Sequence, residues 1–285
     1  MKTSEKLKYG FFMAWGTFSN IPCPNKIWDN RAQKQMISLV PIIGLIVGGL
    51  LALELWLIPA IGPFVPTWGL AFLMLITPVF VCGLFHMDGF MDVMDACLSR
   101  RPMEEKQRIL KDSHTGAFAM IAMVFVILCF LVGLIMAIDS IDYGYTSNTT
   151  LYLAILYIPF SSRVLACHDV LRCPSIDQSQ YKSMEKKKSY LILLEILLPL
   201  VLTVVEFVAD PDVFNTWTCL CPLYGWFLGL VLGAIVGRWA RKQLGGMNGD
   251  IAGFEIVITE ALMVFFVGAF NYIGSGMYMV NNLWY

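Results

Sequence analysis

Between residues 85 and 116 a strongly apolar chain turns polar, and three aspartates, Asp88, Asp92 and Asp95, follow one another at spacings of four and three. On a helix those steps put all three carboxylates on one face. Like charges held that way repel, and a cation among them relieves the repulsion. Hard carboxylate oxygens suit Mg2+, which also binds substrate phosphates. Gly89, beside the first aspartate, lets backbone or substrate come close. Arg100, Arg101, Lys106, Arg108 and Lys111 come next and offer positive charge to phosphate oxygens that a metal does not reach. The plain alternative is a solvated acidic helix between two spans, although such a face would more usually have lysine mixed into it.

A second polar stretch, Gly245-Gly246-Met247-Asn248-Gly249-Asp250, sets three glycines and an asparagine before a fourth aspartate. Glycine-rich backbone can turn several N–H groups toward a phosphate, so Gly246, Asn248 and Gly249 are candidate phosphate contacts and Asp250 a candidate metal ligand. Taken alone, the same residues make an ordinary tight turn between helices. Arg163 lies within an apolar stretch, where a cation needs a partner or a wet cavity. It is a phosphate ligand, the partner of Glu195 or Glu54, or a side chain that snorkels to the near interface. His86 is a candidate general base, or else a hydrogen-bonded residue at a span end. Carboxylates with cations beside them point to phosphoryl or phosphodiester transfer, in which charge develops on a leaving group.

The elements that must position these residues are membrane helices. Hydrophobic residues make up 58% of the chain and charged residues only 14%, with a mean hydropathy of +0.67; soluble domains carry about a quarter charged residues. Apolar stretches near 39–61, 68–85, 116–138, 151–169, 190–208, 219–237 and 254–280 each approach the roughly 20 residues that cross the hydrocarbon. No strand-like alternation occurs, so the expected fold is all-α: a polytopic bundle of about seven transmembrane helices in one domain spanning 1–285. Residues 1–38 form a basic, interfacial N-terminal segment without a secretory signal peptide. Pro78 is an expected kink, and Asp112 or Ser113 an expected cap for the third span. All 20 lysines and arginines except Arg163 fall in the N-terminal segment and the loops 86–115, 170–189 and 238–250. Seven spans bring those segments to one side, cytoplasmic by the positive-inside rule. The two motif loops then face the same compartment and can build one site. The eight scattered cysteines read as reduced, structural residues. Nothing points to nucleic acid; membrane lipid is the expected surrounding.

These residues resemble the cobalamin synthase family, also called adenosylcobinamide-GDP ribazoletransferases. The family's His-x-Asp-Gly-x-x-Asp-x-x-Asp-Ala stretch is similar to His86, Asp88, Gly89, Asp92, Asp95 and Ala96. Its Lys-Asp-Ser-x-x-Gly stretch is similar to Lys111, Asp112, Ser113 and Gly116, and its Gly-Gly-x-Thr-Gly-Asp-x-x-Gly stretch to Gly245, Gly246, Gly249, Asp250 and Gly253. An arginine late in a middle span resembles Arg163, and the start of the chain matches at Phe18, Pro22 and Pro24. Departures are Asn248 for the usual Thr, His114 and Asn20 for Arg, and Val257 where Glu is expected. The resemblance implies a Mg2+-dependent phosphotransferase in the cytoplasmic membrane, its site facing the cytoplasm. Its substrates would be adenosylcobinamide-GDP and α-ribazole or α-ribazole 5′-phosphate, its products adenosylcobalamin (or the 5′-phosphate) and GMP. It implies metal binding by Asp88, Asp92, Asp95 and Asp250, and phosphate contacts that include Lys111 and Ser113. A homo-oligomer stays open.

Two other readings compete. A CDP-alcohol phosphatidyltransferase also has Asp-Gly and clustered aspartates beside the membrane, but its Ala-Arg pair and its later Gly-x-x-x-Asp-x-x-x-Asp are missing here. A transporter would use Arg163, Glu195 and Glu54 as an ion path, yet no inverted repeat supports it.

Overall fold

The computed structural model describes residues 2–282 apart from 62–63, 113, 143–147, 177–188, 196, 198, 201–203 and 205–219. The described chain is helical: α1 (Thr3–Phe18), α2 (Gln33–Ile61), α3 (Thr67–Cys82), α4 (Phe85–Leu98), α5 (Met103–Ile109), α6 (Ala117–Asp142), α7 (Asn148–Arg172), α8 (Cys221–Leu244) and α9 (Gly249–Asn282). No strand occurs among the described residues, only an isolated bridge between Ser175 and Met247. Five helices, α2, α6, α7, α8 and α9, are long and apolar enough to cross a membrane, and α3 with α4 make a sixth if that bent pair is one span. About half of the expected span at 190–208 lies outside the described residues, so the count of seven is not decided by them.

Small residues bring the helices together, as they must where lipid competes with side chains for apolar contact. Gly225, Gly229, Gly233 and Gly237 make a stripe down α8 that receives Phe266, Met263, Thr259 and Glu255 of α9. Gly44 and Gly48 of α2 lie against Pro159 and Leu156 of α7 in the same way. Polar side chains inside the bundle find each other across helices: Thr77 donates to Glu54 at 2.5 Å and Asn271 to Ser140 at 2.5 Å.

The segment that forms the site is set by one bend. The second predicted span stops at Cys82; Gly83 adopts φ 70°, a left-handed conformation that suits glycine. The chain then turns 97° into α4. The sharp bend is therefore at Gly83, beyond the expected kink at Pro78, which stays within helical α3. The last carbonyls of a helix lack intrahelical donors. Here the Asn20 amide donates to the Val81 carbonyl at 2.7 Å and its side chain to the Phe80 carbonyl at 3.4 Å, pinning the segment after α1 to the bend.

Candidate active site

Helix α4 runs across the end of the bundle at which α6 and α9 begin. One face of it is buried, carrying His86, Gly89, Phe90, Val93, Ala96 and Cys97. Phe90 stacks on Phe254 of α9 with ring centroids 5.6 Å apart. At Gly89 the backbones nearly touch: a Cβ there would stand 2.8 Å from the Asp250 carbonyl oxygen, and one on Gly253 would stand 3.0 Å from the His86 carbonyl oxygen. Two glycines on facing helices thus bring the first motif aspartate alongside the fourth. The face of α4 away from the core carries exposed Asp88 and partly buried Asp92 and Asp95. Burial, and after it the charges of Asp88, Asp250 and Asp95, push the Asp92 carboxyl up to about 6. The like charges sharing this surface thus add to the effect of burial.

Asp250 sits in the first turn of α9. Asn248 caps that helix, its Oδ1 accepting from the Ile251 amide at 2.9 Å and its Nδ2 donating to Asp250 Oδ2 at 2.7 Å. An asparagine therefore serves the capping role well in place of the threonine expected there.

The glycine loop uses its amides differently from the expectation. Gly245, at φ 82°, ends α8, and the Gly245 and Gly246 amides donate to the Arg241 carbonyl at 2.9 and 3.1 Å. Met247 donates to Pro174 at 2.8 Å and receives from Ile176 at 3.0 Å. Gly246 has no room for a side chain because the Ile176 nitrogen would lie 2.8 Å from its Cβ. Gly246 is therefore closely packed, with its amide bonded to the Arg241 carbonyl and not turned to the acidic face. Gly249 and Asp250, in the first turn of α9, supply the amides that the helix itself does not use.

Two further residues stand elsewhere than expected. His86 belongs to the buried face, two residues from Asp88 and so on the opposite side of α4. Its ring lies parallel to Phe18 at 6.2 Å and its Nε2 has no hydrogen-bond partner among the described residues. It lines a small cavity with Arg163 and Glu260, on the buried face of α4 and away from the three aspartates. Arg163, 1% exposed, pairs with Glu260 and donates to the Pro159 carbonyl at 2.8 Å. Ser162 also donates to Glu260, at 2.9 Å. Its partner among the described residues is thus Glu260, and neither Glu195 nor Glu54.

Of the basic residues after α4, Lys106 is buried and donates to Gln243, while Gln107 donates to the Leu244 carbonyl at 2.7 Å; together they hold α5 on the end of α8. Arg100, Arg101, Arg108 and Lys111 are exposed. Ser113 lies outside the described residues. Asp112 pairs with His114 rather than capping α6. That role falls to Asp95, whose carboxylate accepts from the Gly116 amide and from the Ala119 amide at 2.9 Å. A cluster not foreseen from sequence lies beneath the site: Arg241 bonds both Asp169, at 2.5 Å, and fully buried Glu255. Acidic residues inside apolar helices were the signal that could have found Asp169, Glu255 and Glu260.

A family model described as cobalamin-5-phosphate synthase matches residues 10–268. The chain belongs to the cobalamin-5-phosphate synthase family. Curated relatives named adenosylcobinamide-GDP ribazoletransferase agree. One from Clostridium perfringens is 34% identical over 261 residues, covering 90% of this chain and 96% of the relative. One from Clostridium botulinum is 33% identical over 276 residues, covering 92% and 97%, and one from Desulfitobacterium hafniense 34% over 239 residues, covering 81% and 84%. No solved structure matches the chain. Within this cobalamin-5-phosphate synthase family member, no three His, Cys, Asp or Glu side chains among the described residues stand close enough together to hold a metal ion as they are. Asp88, Asp92 and Asp250 nevertheless fit a hard divalent cation in donor type, and the elevated proton affinity of Asp92 marks a surface that positive charge would relieve.

Proposed function

We propose that this chain is a membrane-embedded adenosylcobinamide-GDP ribazoletransferase whose acidic face at the α4–α9 crossing takes the diphosphate. The reading rests on the family match and on one observation: α4 and α9 meet at Gly89 and Asp250, bringing motif aspartates of two distant stretches onto one surface. In the proposed reaction a secondary ribose hydroxyl of the ribazole, and not the 5′ oxygen, which keeps its phosphate in the 5′-phosphate substrate and product, loses its proton as its oxygen bonds to the phosphorus attached to cobinamide. The bond from that phosphorus to the bridging oxygen breaks, its electron pair leaves with GMP, and the proton passes to water or the acidic face. Mg2+, held by Asp88, Asp92 and Asp250, would supply charge neutralisation for the diphosphate.

The chain's own part is positioning. Gly89 and Gly253 fix the distance between the two acidic segments. Asn248 holds Asp250 at the head of α9, and the Gly249 and Asp250 amides, in its first turn, have no acceptor within the helix. Exposed Arg100, Arg101, Arg108 and Lys111 supply positive charge near the same end. The one-sided distribution of Lys and Arg along the sequence supports a site that faces the cytoplasm by the positive-inside rule, and the proposed setting is a prokaryotic inner membrane. The test is turnover by the purified protein, given adenosylcobinamide-GDP, α-ribazole and Mg2+. GMP released in step with a cobalamin product supports the reading; no GMP with either α-ribazole or its 5′-phosphate overturns it.

A further inference from the structure

Asp88, Asp92 and Asp95 are equivalent in sequence pattern, one face of one helix, but the structure treats the third differently. Asp95 directs both carboxylate oxygens at the start of α6: Oδ2 accepts from the Gly116 amide and Oδ1 from the Ala119 amide. The first amides of a helix have no acceptor within it, and a negative charge there is favoured by the helix dipole. The charge of Asp95 is thus answered by backbone, while Asp88 and Asp92 face outward. Gly116 is fitted to this contact, since a Cβ on it would lie 2.6 Å from Asp95 Oδ1. The local candidate for capping α6, Asp112, is turned to His114 instead.

The consequence concerns the segment between. Asp95 and Gly116 are 21 residues apart, and the chain between them carries α5 and exposed Arg100, Arg101, Arg108 and Lys111. Its far side is held to α8 through Lys106 and Gln107; its base is closed by Asp95. We propose that Asp95 is a positioning residue and not a metal ligand: it clasps the 96–115 segment to the motif helix and so sets where the basic residues stand relative to Asp88, Asp92 and Asp250. The functional part of this rests on the acidic face being the site of diphosphate binding.

The test separates the clasp from that reading. Asp95→Asn leaves one acceptor and turns an amide NH2 toward a backbone N–H. Gly116→Ala forces the two apart, and Ala119→Pro removes one donor while proline is tolerated in a first helical turn. The latter two alter no carboxylate. In detergent-purified full-length protein, all three are expected to speed tryptic cleavage after Arg100 and Arg108 by roughly fivefold or more, the scale of losing one helix cap. Combining Asp95→Asn with Ala119→Pro is expected to add little, because both break one contact. Mn2+ binding followed by electron paramagnetic resonance is expected to survive in Asp95→Asn and to be lost in Asp92→Asn. In turnover, the three clasp variants are expected to raise KM for the GDP-bearing substrate more than they lower kcat. Wild-type resistance to trypsin in Asp95→Asn overturns the clasp, and so does loss of Mn2+ in Asp95→Asn with retention in Gly116→Ala. A wild type that binds no Mn2+ overturns the metal reading of the acidic face, while the proteolysis still decides the clasp.

Discussion

Gly89 of α4 lies against the backbone of Asp250 in α9, with 2.8 Å between the position of a Cβ and the Asp250 carbonyl oxygen. Two segments separated by most of the chain form one acidic surface through that contact. Because the neighbour is helical backbone and not a flexible side chain, Gly89→Ala has to push the helices apart. Activity is expected to fall about a hundredfold, the cost of a misplacement near 1 Å in a catalytic constellation. Gly49→Ala, which meets nothing within 4 Å, is the control and is expected to keep wild-type GMP release. Equal activity in the two variants would show that the α4–α9 spacing does not matter.

The Asp92 carboxyl, raised to about 6 by burial and neighbouring carboxylates, predicts how the metal-free protein responds to pH. Folded protein holds the Asp92 proton more tightly than unfolded chain. The stability this adds is fully present below the ordinary aspartate range near 3.8 and is lost as pH rises through about 6. Asp92→Asn is therefore expected to flatten the rise and fall of melting temperature across that window and to leave the metal-free protein at least as stable as wild type at pH 7. A pH profile identical to wild type would remove Asp92 from the repelling cluster. In the wild type, added Mg2+ is expected to stabilise less at pH 5 than at pH 7, since protons compete for the same oxygens.

Arg163 and Glu260 form a buried pair, and breaking it from one side strands a charge. Arg163→Ala is expected to destabilise by about 3–5 kcal/mol and to accumulate poorly in membranes. Replacing both partners, Arg163→Met with Glu260→Leu, is expected to restore accumulation and most GMP release, because neither residue reaches the acidic face. A double variant that accumulates normally yet releases no GMP would return Arg163 to the substrate.

The sequence made the helical membrane class legible through long apolar stretches, and the shared end of the two motif loops through the one-sided distribution of Lys and Arg. Period 3.6 alone correctly put Asp88, Asp92 and Asp95 on one helical face. The same period also separates His86 from them, two residues from Asp88 and so on the other side of the helix. Other features depended on partners that only the tertiary structure brings near. Arg163 meets Glu260 across two helices, Asp95 reaches the amides of α6, and the Gly245 and Gly246 amides are taken by the Arg241 carbonyl. Glycine next to aspartate looks alike whether it admits a phosphate or a neighbouring helix. Gly83 as the bend, in place of Pro78, follows from a φ that no residue pattern displays.

The central claim is that Asp88, Asp92 and Asp250 act together by charge on a diphosphate. It is tested most directly by GMP release from adenosylcobinamide-GDP and α-ribazole, comparing wild type with Asp88→Asn, Asp92→Asn and Asp250→Asn, each at matched amounts of folded protein. Each substitution keeps size and removes charge. Turnover is expected to drop by about a hundredfold or more in every one, the scale of losing a strong electrostatic contact in the transition state, with melting temperatures close to wild type. Asp112→Asn, at an exposed residue paired with His114, is expected to stay near wild type. Small and equal losses in all four variants would contradict the claim and return the acidic face to a solvated helix surface.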